Sequence, residues 1–259
     1  MGYDITSPGN DRIKRLVRLG QRRHRDAEGV FVVEGERLYR RALAAGLTPE
    51  LTLVDGRTVI DTTGPTLTVE PALLDKVSYR QRSQGLVAIF PQLETGLHTF
   101  ADPSDPLLLV TENIEKPGNL GAMLRTAAAA GVTGLVTVGR TVDPHNPNVV
   151  RSSTGALFTV PLAVSDWGEF ETWARARGIR VIGAAPCAPT PVWDTDLTGG
   201  VAVVIGSEGL GLSERATTLA DALTAIPQAK DRVDSLNVSV AGAVILFEAV
   251  RQRRSITRR

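Results

Sequence analysis

Asn113, Pro117, Asn119, Gly121 and Arg125 fall where the apolar run Leu107 to Thr111 gives way to polar, Pro- and Gly-restricted backbone and then to a helical pattern. Ligands of α/β folds bind beyond the carboxyl ends of strands, and the first turn of a helix offers free N–H groups there. Gly121 permits close backbone approach, and Arg125, four residues on, shares its helix face. An arginine beside Met123, Leu124 and a run of alanines needs a partner; a structural carboxylate and a ligand anion both qualify. A second loop, Gly206-Ser207-Glu208-Gly209-Leu210-Gly211, follows the apolar run Val201 to Ile205. Its glycines have neither the dinucleotide spacing nor the Gly-Lys-Ser/Thr ending of a P-loop. The Glu208 carboxylate would oppose a phosphate and suits a ligand bearing positive charge or hydroxyls, such as a sulfonium cofactor with a ribose and an amino-acid tail. The third stretch is Ile226-Pro227-Gln228, then Asp234-Ser235-Leu236-Asn237-Val238-Ser239-Val240-Ala241. Ser235 and Asn237 stand where an amphipathic helix starts, a place that both residue types cap well. The small residues and free N–H groups of that start can also surround an adenine.

These loops need elements to carry them. From Leu107 onward, strand-like and helical patterns alternate as in a parallel sheet covered by helices. The strands are expected at Leu107 to Thr111, Leu135 to Val138, Phe158 to Val164, Arg180 to Ala184 and Val201 to Ile205. The helices are expected at Leu120 to Ala130 (N-cap Asn119, stop Gly131), Trp167 to Arg177, Leu212 to Asp221 and Asn237 to Arg254. The front section forms a smaller α/β unit. Asn10 to Arg25 reads as one basic helix with Ile13, Leu16, Val17 and Leu19 on its apolar side. Val30 to Val33, Leu51 to Val54 and Gly85 to Phe90 read as strands, and Glu36 to Ala45 and Pro71 to Val77 as helices. The expected division is a first domain over 1–97, a linker over 98–106 and a second domain over 107–259.

The 259 residues, 42% hydrophobic and 22% charged, fit a globular protein with one large or two smaller domains. The net charge of +1 hides two basic ends. Arg12, Lys14, Arg15, Arg18, Arg22, Arg23, His24 and Arg25 crowd the beginning, and Arg251, Arg253, Arg254, Arg258 and Arg259 the end. Such clusters supply phosphate affinity, although a solvated helix face has the same composition. The single Cys187 excludes an intramolecular disulfide and a cysteine zinc cage, and His24, His98 and His145 have no metal spacing, so no metal is expected. No apolar run approaches a membrane span or a signal peptide, which leaves a cytoplasmic protein as the expectation.

The three loop stretches, in this order and at these separations, resemble the motifs of the SpoU/TrmH family of RNA ribose 2′-O-methyltransferases, within the SPOUT superfamily. Asn113, Pro117, Asn119, Gly121 and Arg125 match the first motif, Ile205 to Gly211 the second, and Ile226-Pro227 with Ser235 to Ser239 the third. Arg151-Ser152-Ser153-Thr154-Gly155-Ala156 is similar to the family's Ser/Gly/Ala segment between the first two. The resemblance covers roughly Leu107 to Arg254. Gly29 to Glu36 is similar to part of the L30e-like substrate-binding domain found ahead of such enzymes.

The resemblance implies an α/β fold whose second domain is a parallel-sheet SPOUT domain with a deep trefoil knot. It implies S-adenosyl-L-methionine as cofactor and a homodimer. Carried over by position, it implies cofactor contacts at Gly206, Ser207, Glu208, Gly209, Ile226, Ser235 and Leu236. Arg125, Asn119, Glu208, Ser235 and Asn237 would form the catalytic set, with Glu208 holding Asn119 and Arg125 beside the acceptor ribose. The resemblance also implies RNA phosphate contact at Arg151, while the basic front cluster, read from charge alone, makes Arg22, Arg23 and Arg25 the further expected RNA contacts. The expected substrate is ribosomal RNA, 23S in particular, with tRNA as the alternative. Some enzymes of this build confer antibiotic resistance in producing bacteria, and a non-catalytic RNA-binding protein is a further alternative.

Overall fold

The computed structural model describes residues 2–57, 60–79, 83–229 and 235–257, so Asp234, Arg258 and Arg259 of the sequence reading lie outside the described residues. The chain divides into two units, one formed by residues 1–93 and 143–158 and the other by 94–142 and 159–259.

The first unit begins with α1 (Asp11–Leu19) and α2 (Arg22–Glu28), where the sequence reading expects one continuous helix. Gly20 separates them, and Gly29, at φ 65°, closes α2 in the left-handed conformation that glycine tolerates best. Ile13, Leu16 and Leu19 are buried as expected, but Val17 points to solvent, because the helix rotation places it off the i, i+3 stripe. There follow β1 (Val30–Glu34), α3 (Glu36–Ala44), β2 (Leu51–Val54), β3 (Thr66–Thr68), α4 (Pro71–Val77) and β4 (Leu86–Pro91). The sheet order is β1-β4-β2-β3, antiparallel except for the β2–β3 pair. Strand β3 escapes the sequence reading because its Thr-Leu-Thr is short and only half-buried.

The second unit opens with β5 (Leu107–Glu112), α5 (Pro117–Ala130) and β6 (Gly134–Val138). Helix α6 (Pro147–Ser152) then lies in the stretch that clusters with the first unit. Arg25 is bound to Asp143 there, and the Phe31 ring lies against His145 and Phe158. Those contacts are nonlocal, which is why the sequence reading keeps the stretch in the second domain. The second unit resumes with β7 (Leu162–Ser165), α7 (Trp167–Ala176), β8 (Arg180–Ala184), β9 (Thr190–Pro191), β10 (Val201–Ile205), α8 (Glu214–Leu219), β11 (Ala222–Ala225) and α9 (Val238–Thr257). Leu97, expected in the first domain, and Phe100, expected in the linker, are both buried in this unit's core beside Leu108, Val136 and Phe170.

The seven strands are all parallel in the order β7-β6-β5-β10-β8-β11-β9. Strands β5 and β10 are buried on both faces, as the apolar runs Leu107 to Val110 and Val201 to Ile205 require, and β8 is buried at its centre. The chain runs outward from β5 through β6 to β7, then returns and inserts β10 between β5 and β8. Strands β5 and β10 therefore flank a topological switch point, where open parallel sheets present a crevice for ligands. The loops after these two strands are the first two stretches singled out in the sequence.

Candidate active site

Asn113, the first residue beyond β5, adopts φ 53°, a left-handed conformation that asparagine supports better than most side chains. Its Oδ1 accepts from the Arg140 backbone N–H at 2.8 Å, and a Cβ on Gly139 would collide with that oxygen. The motif asparagine thus ties the ends of β5 and β6 together. Helix α5 begins at Pro117, a residue suited to a first helical position. Asn119 is therefore already inside the helix and is not the expected N-cap. Its side chain is free for another task.

That task is met by Glu208. The turn 207–211 closes on itself through Ser207 N–H to Gly211 O at 3.0 Å and Gly211 N–H to Ser207 O at 3.1 Å. A Cβ on Gly206 would run into the Gly211 carbonyl, so the turn closes only around glycine. At its tip Glu208 Oε1 accepts from Asn119 Nδ2 at 2.9 Å and from Asn237 Nδ2 at 2.8 Å, while Oε2 pairs with Lys116. Lys116, then Asn119, hold the Glu208 carboxyl below the ordinary glutamate range by stabilising its ionised form. Asn237 also uses its other end. Its Oδ1 accepts from Ser239 N–H at 3.0 Å and Ser239 Oγ at 2.6 Å, capping α9. One amide therefore caps a helix and joins all three motifs at Glu208.

Two cavities adjoin this junction. The first, of about 420 Å³, is lined by the chain after β8 (Ala184 to Pro186), by Ile205 to Gly211, by Ile226 and Gln228 after β11, and by Ser235, Leu236, Val238 and Ala241. It gathers every residue expected at the cofactor site: Gly206, Ser207, Glu208, Gly209, Ile226, Ser235 and Leu236. The second, of about 390 Å³, lies between Asn113 to Lys116, Asn119 and Arg140 on one side and Ser207 to Leu210 on the other. The Glu208 turn is their common wall. The first cavity's size suits a small-molecule cofactor. A glycine cradle, an apolar side and a carboxylate suit an adenosyl sulfonium better than a phosphate. The cavity also carries a buried acceptor, Gln228 Oε1, with no hydrogen-bond partner.

Arg125 is exposed on α5 and lines neither cavity. It stands six residues beyond Asn119, about 9 Å along the helix axis. No structural salt bridge to another described residue holds it. The basic front cluster is only partly available. Arg25 is 1% exposed, donating to Leu19 O at 2.8 Å and paired with Asp143 at 2.5 Å, so its expected contact with RNA is corrected: it is an internal ion pair. Arg15 is engaged by Glu28 and Glu50, and the exposed Arg22 by Asp26. Arg23 is exposed. Arg151 is half-buried, bonded to Asn148 at 2.7 Å and placed over the Tyr79 ring.

Three further positions at the site have no role in the sequence reading. Lys116 lies at an unconstrained position of the first motif, and only the fold brings it to Glu208. Gln228 continues the Ile-Pro pair without standing out from it. Glu112 ends β5 and is 2% exposed. It accepts from Trp167 Nε1 at 2.8 Å, Ser213 N–H at 2.8 Å and Ser213 Oγ at 2.6 Å. Ser213 caps α8 where the glycine turn's chain ends, so Glu112 clasps the roots of both motif loops. A lone carboxylate closing an apolar strand was its one visible signal. Among the described residues, no group of three or more His, Cys, Asp or Glu side chains is arranged to hold a metal ion.

Residues 106–247 match the SpoU rRNA Methylase family, and residues 10–88 match the MRM3-like substrate binding domain. The chain is 33% identical to an uncharacterized tRNA/rRNA methyltransferase of Synechocystis over 260 aligned positions, covering 96% of this chain and 94% of that one. It is 32% identical to the 23S rRNA (uridine(2479)-2′-O)-methyltransferase of Streptomyces viridochromogenes, covering 92% of this chain and 88% of the other. Its fold is similar to the SpoU methyltransferase AviRb from Streptomyces viridochromogenes in complex with AdoMet. The TM-score is 0.88 at 31% identity, over 95% of this chain and 99% of that one.

Proposed function

Because this chain belongs to the SpoU rRNA methylase family, we propose that it uses S-adenosylmethionine to methylate a ribose 2′-hydroxyl of 23S ribosomal RNA. The observation that carries this reading is the pair of adjoining cavities divided by the Glu208 turn, one built for an adenosyl cofactor and the other bounded by the first motif. The cofactor supplies a methyl group on a sulfonium sulfur, already activated toward a nucleophile.

The protein's own contribution is orientation. Gly206 and the turn backbone, with Ile226, Ser235 and Leu236, hold the cofactor. Lys116, Asn119 and Asn237 fix Glu208, so the common wall keeps a ribose in the second cavity in line with the methyl group. Glu208 is a poor base: its partners lower the proton affinity of its carboxylate and occupy both oxygens. Arginine stays protonated. Arg125, exposed on α5 and outside both cavities, binds an RNA phosphate, and the ribose proton leaves to phosphate or water. Arg22, Arg23 and Arg151 add phosphate contacts from the first unit.

The reading includes a homodimer and a knotted carboxyl-terminal segment. Val240 and Phe247, seven residues apart on one face of α9, are about half exposed, which suits burial against a second copy. The fold similarity to a SpoU methyltransferase over 95% of the chain supports the knot. The relatives named as 23S rRNA methyltransferases favour ribosomal RNA over tRNA.

Incubation with methyl-labelled S-adenosylmethionine and either unmodified ribosomal RNA or bulk tRNA tests this function. Label at one ribose 2′-oxygen of 23S RNA is expected. Label in tRNA alone would overturn the substrate, and label in neither would overturn the activity on these RNAs.

A further inference from the structure

Gln228 stands two residues beyond Ile226, after β11, and lines the first cavity but not the second. Its Oε1 is buried and has no hydrogen-bond partner, a state that native proteins rarely leave uncompensated. The cavity lining on this side combines the apolar Ile226, Leu236, Val238 and Ala241 with the polar Thr224 and Ser235, and none of them bonds Gln228 Oε1. A buried amide oxygen that no neighbour satisfies is matched by a ligand that brings its own N–H or O–H donor.

The sheet order says which part of the cofactor meets it. The reacting end must lie at the wall shared with the second cavity, Ser207 to Leu210, which follows β10. Strand β8 separates β10 from β11, so the loop bearing Gln228 is two strand spacings away, about 9–10 Å. The charged amino-acid tail gains nothing from an apolar surround, whereas a flat base does. We infer that Gln228 reads the adenine of the cofactor, its Oε1 accepting a hydrogen bond from the exocyclic N6 amino group while Ile226, Leu236 and Val238 enclose the ring. The reading rests on the proposed cofactor and deepens it: Gln228 is a specificity-determining residue for a 6-amino purine.

The probes are S-adenosylhomocysteine and S-inosylhomocysteine, in which a 6-oxo group replaces the amino donor, titrated by calorimetry into the whole protein. Wild type is expected to bind the inosyl compound at least about tenfold more weakly, the effect of stranding one buried acceptor. Gln228→Met, similar in shape and without the acceptor, is expected to lose about tenfold in affinity for the adenosyl compound and to discriminate between the two by less than about threefold. A wild-type ratio near one overturns the inference without any variant. An unchanged ratio in Gln228→Met overturns it as well. If wild type binds neither compound, the proposed cofactor itself is wrong, and the inference falls with it.

Discussion

Replacing Asn237 by aspartate separates the two tasks that its amide performs. The Oδ1 cap on Ser239, with bonds of 3.0 and 2.6 Å, survives in the aspartate, which is an equally good helix cap. The Nδ2 end, 2.8 Å from Glu208 Oε1 and 3.3 Å from Asn119 Oδ1, becomes a second carboxylate oxygen facing a first. A hydrogen bond to a charged acceptor contributes about 1.5–3 kcal/mol in general. The Glu208 side chain is 30% exposed, and solvent screening brings the loss toward the lower figure. We therefore expect Asn237→Asp to lower kcat/KM for methyl transfer by about tenfold while helix α9 keeps its stability. Asn237→Ala removes both ends and should also lower the stability by about 1 kcal/mol. Labelled-methyl transfer and urea unfolding measure the two quantities. An aspartate variant with wild-type kcat/KM would show that the junction of the three motifs does not govern the reaction.

Glu112→Leu should destabilise the second unit by about 1–3 kcal/mol for each donor left stranded at Trp167 and Ser213, read by urea unfolding. Gly206→Ala should weaken S-adenosylmethionine binding by more than about tenfold, because its Cβ meets the Gly211 backbone, which cannot yield as a side chain would. In the first unit, Arg25→Ala should cost about 3–5 kcal/mol by leaving Asp143 buried without its partner. Arg23→Ala should leave stability unchanged and reduce the salt slope of RNA binding by about one. Since the Glu208 carboxyl is depressed in the folded protein, its stabilising contribution is complete above the ordinary glutamate value of about 4.3 and is lost as pH falls through the lower folded value. Its latch should therefore hold across neutral pH, and Lys116→Met should shift the acid loss of S-adenosylmethionine binding to higher pH.

Legible from residue order alone, though without α6, β9 or β11, were the ordered motif loops, most of the alternation of strands and helices from Leu107 onward, and the strands β8 and β10 to the residue. Those features are local: glycine and proline restrict backbone, and buried parallel strands read as unbroken apolar runs. Adjacency was not legible. That Asn119 serves Glu208 rather than capping α5, that Lys116 joins them, and that Glu112 clasps Ser213 all follow from β10 entering between β5 and β8. Likewise, Arg23 and Arg25 are indistinguishable in a basic run, yet one faces solvent and the other is sealed against Asp143, more than a hundred residues away. Residue type states what a side chain can do. Only the tertiary structure decides what it meets, because burial and pairing depend on contacts between segments whose separation along the chain carries no signal.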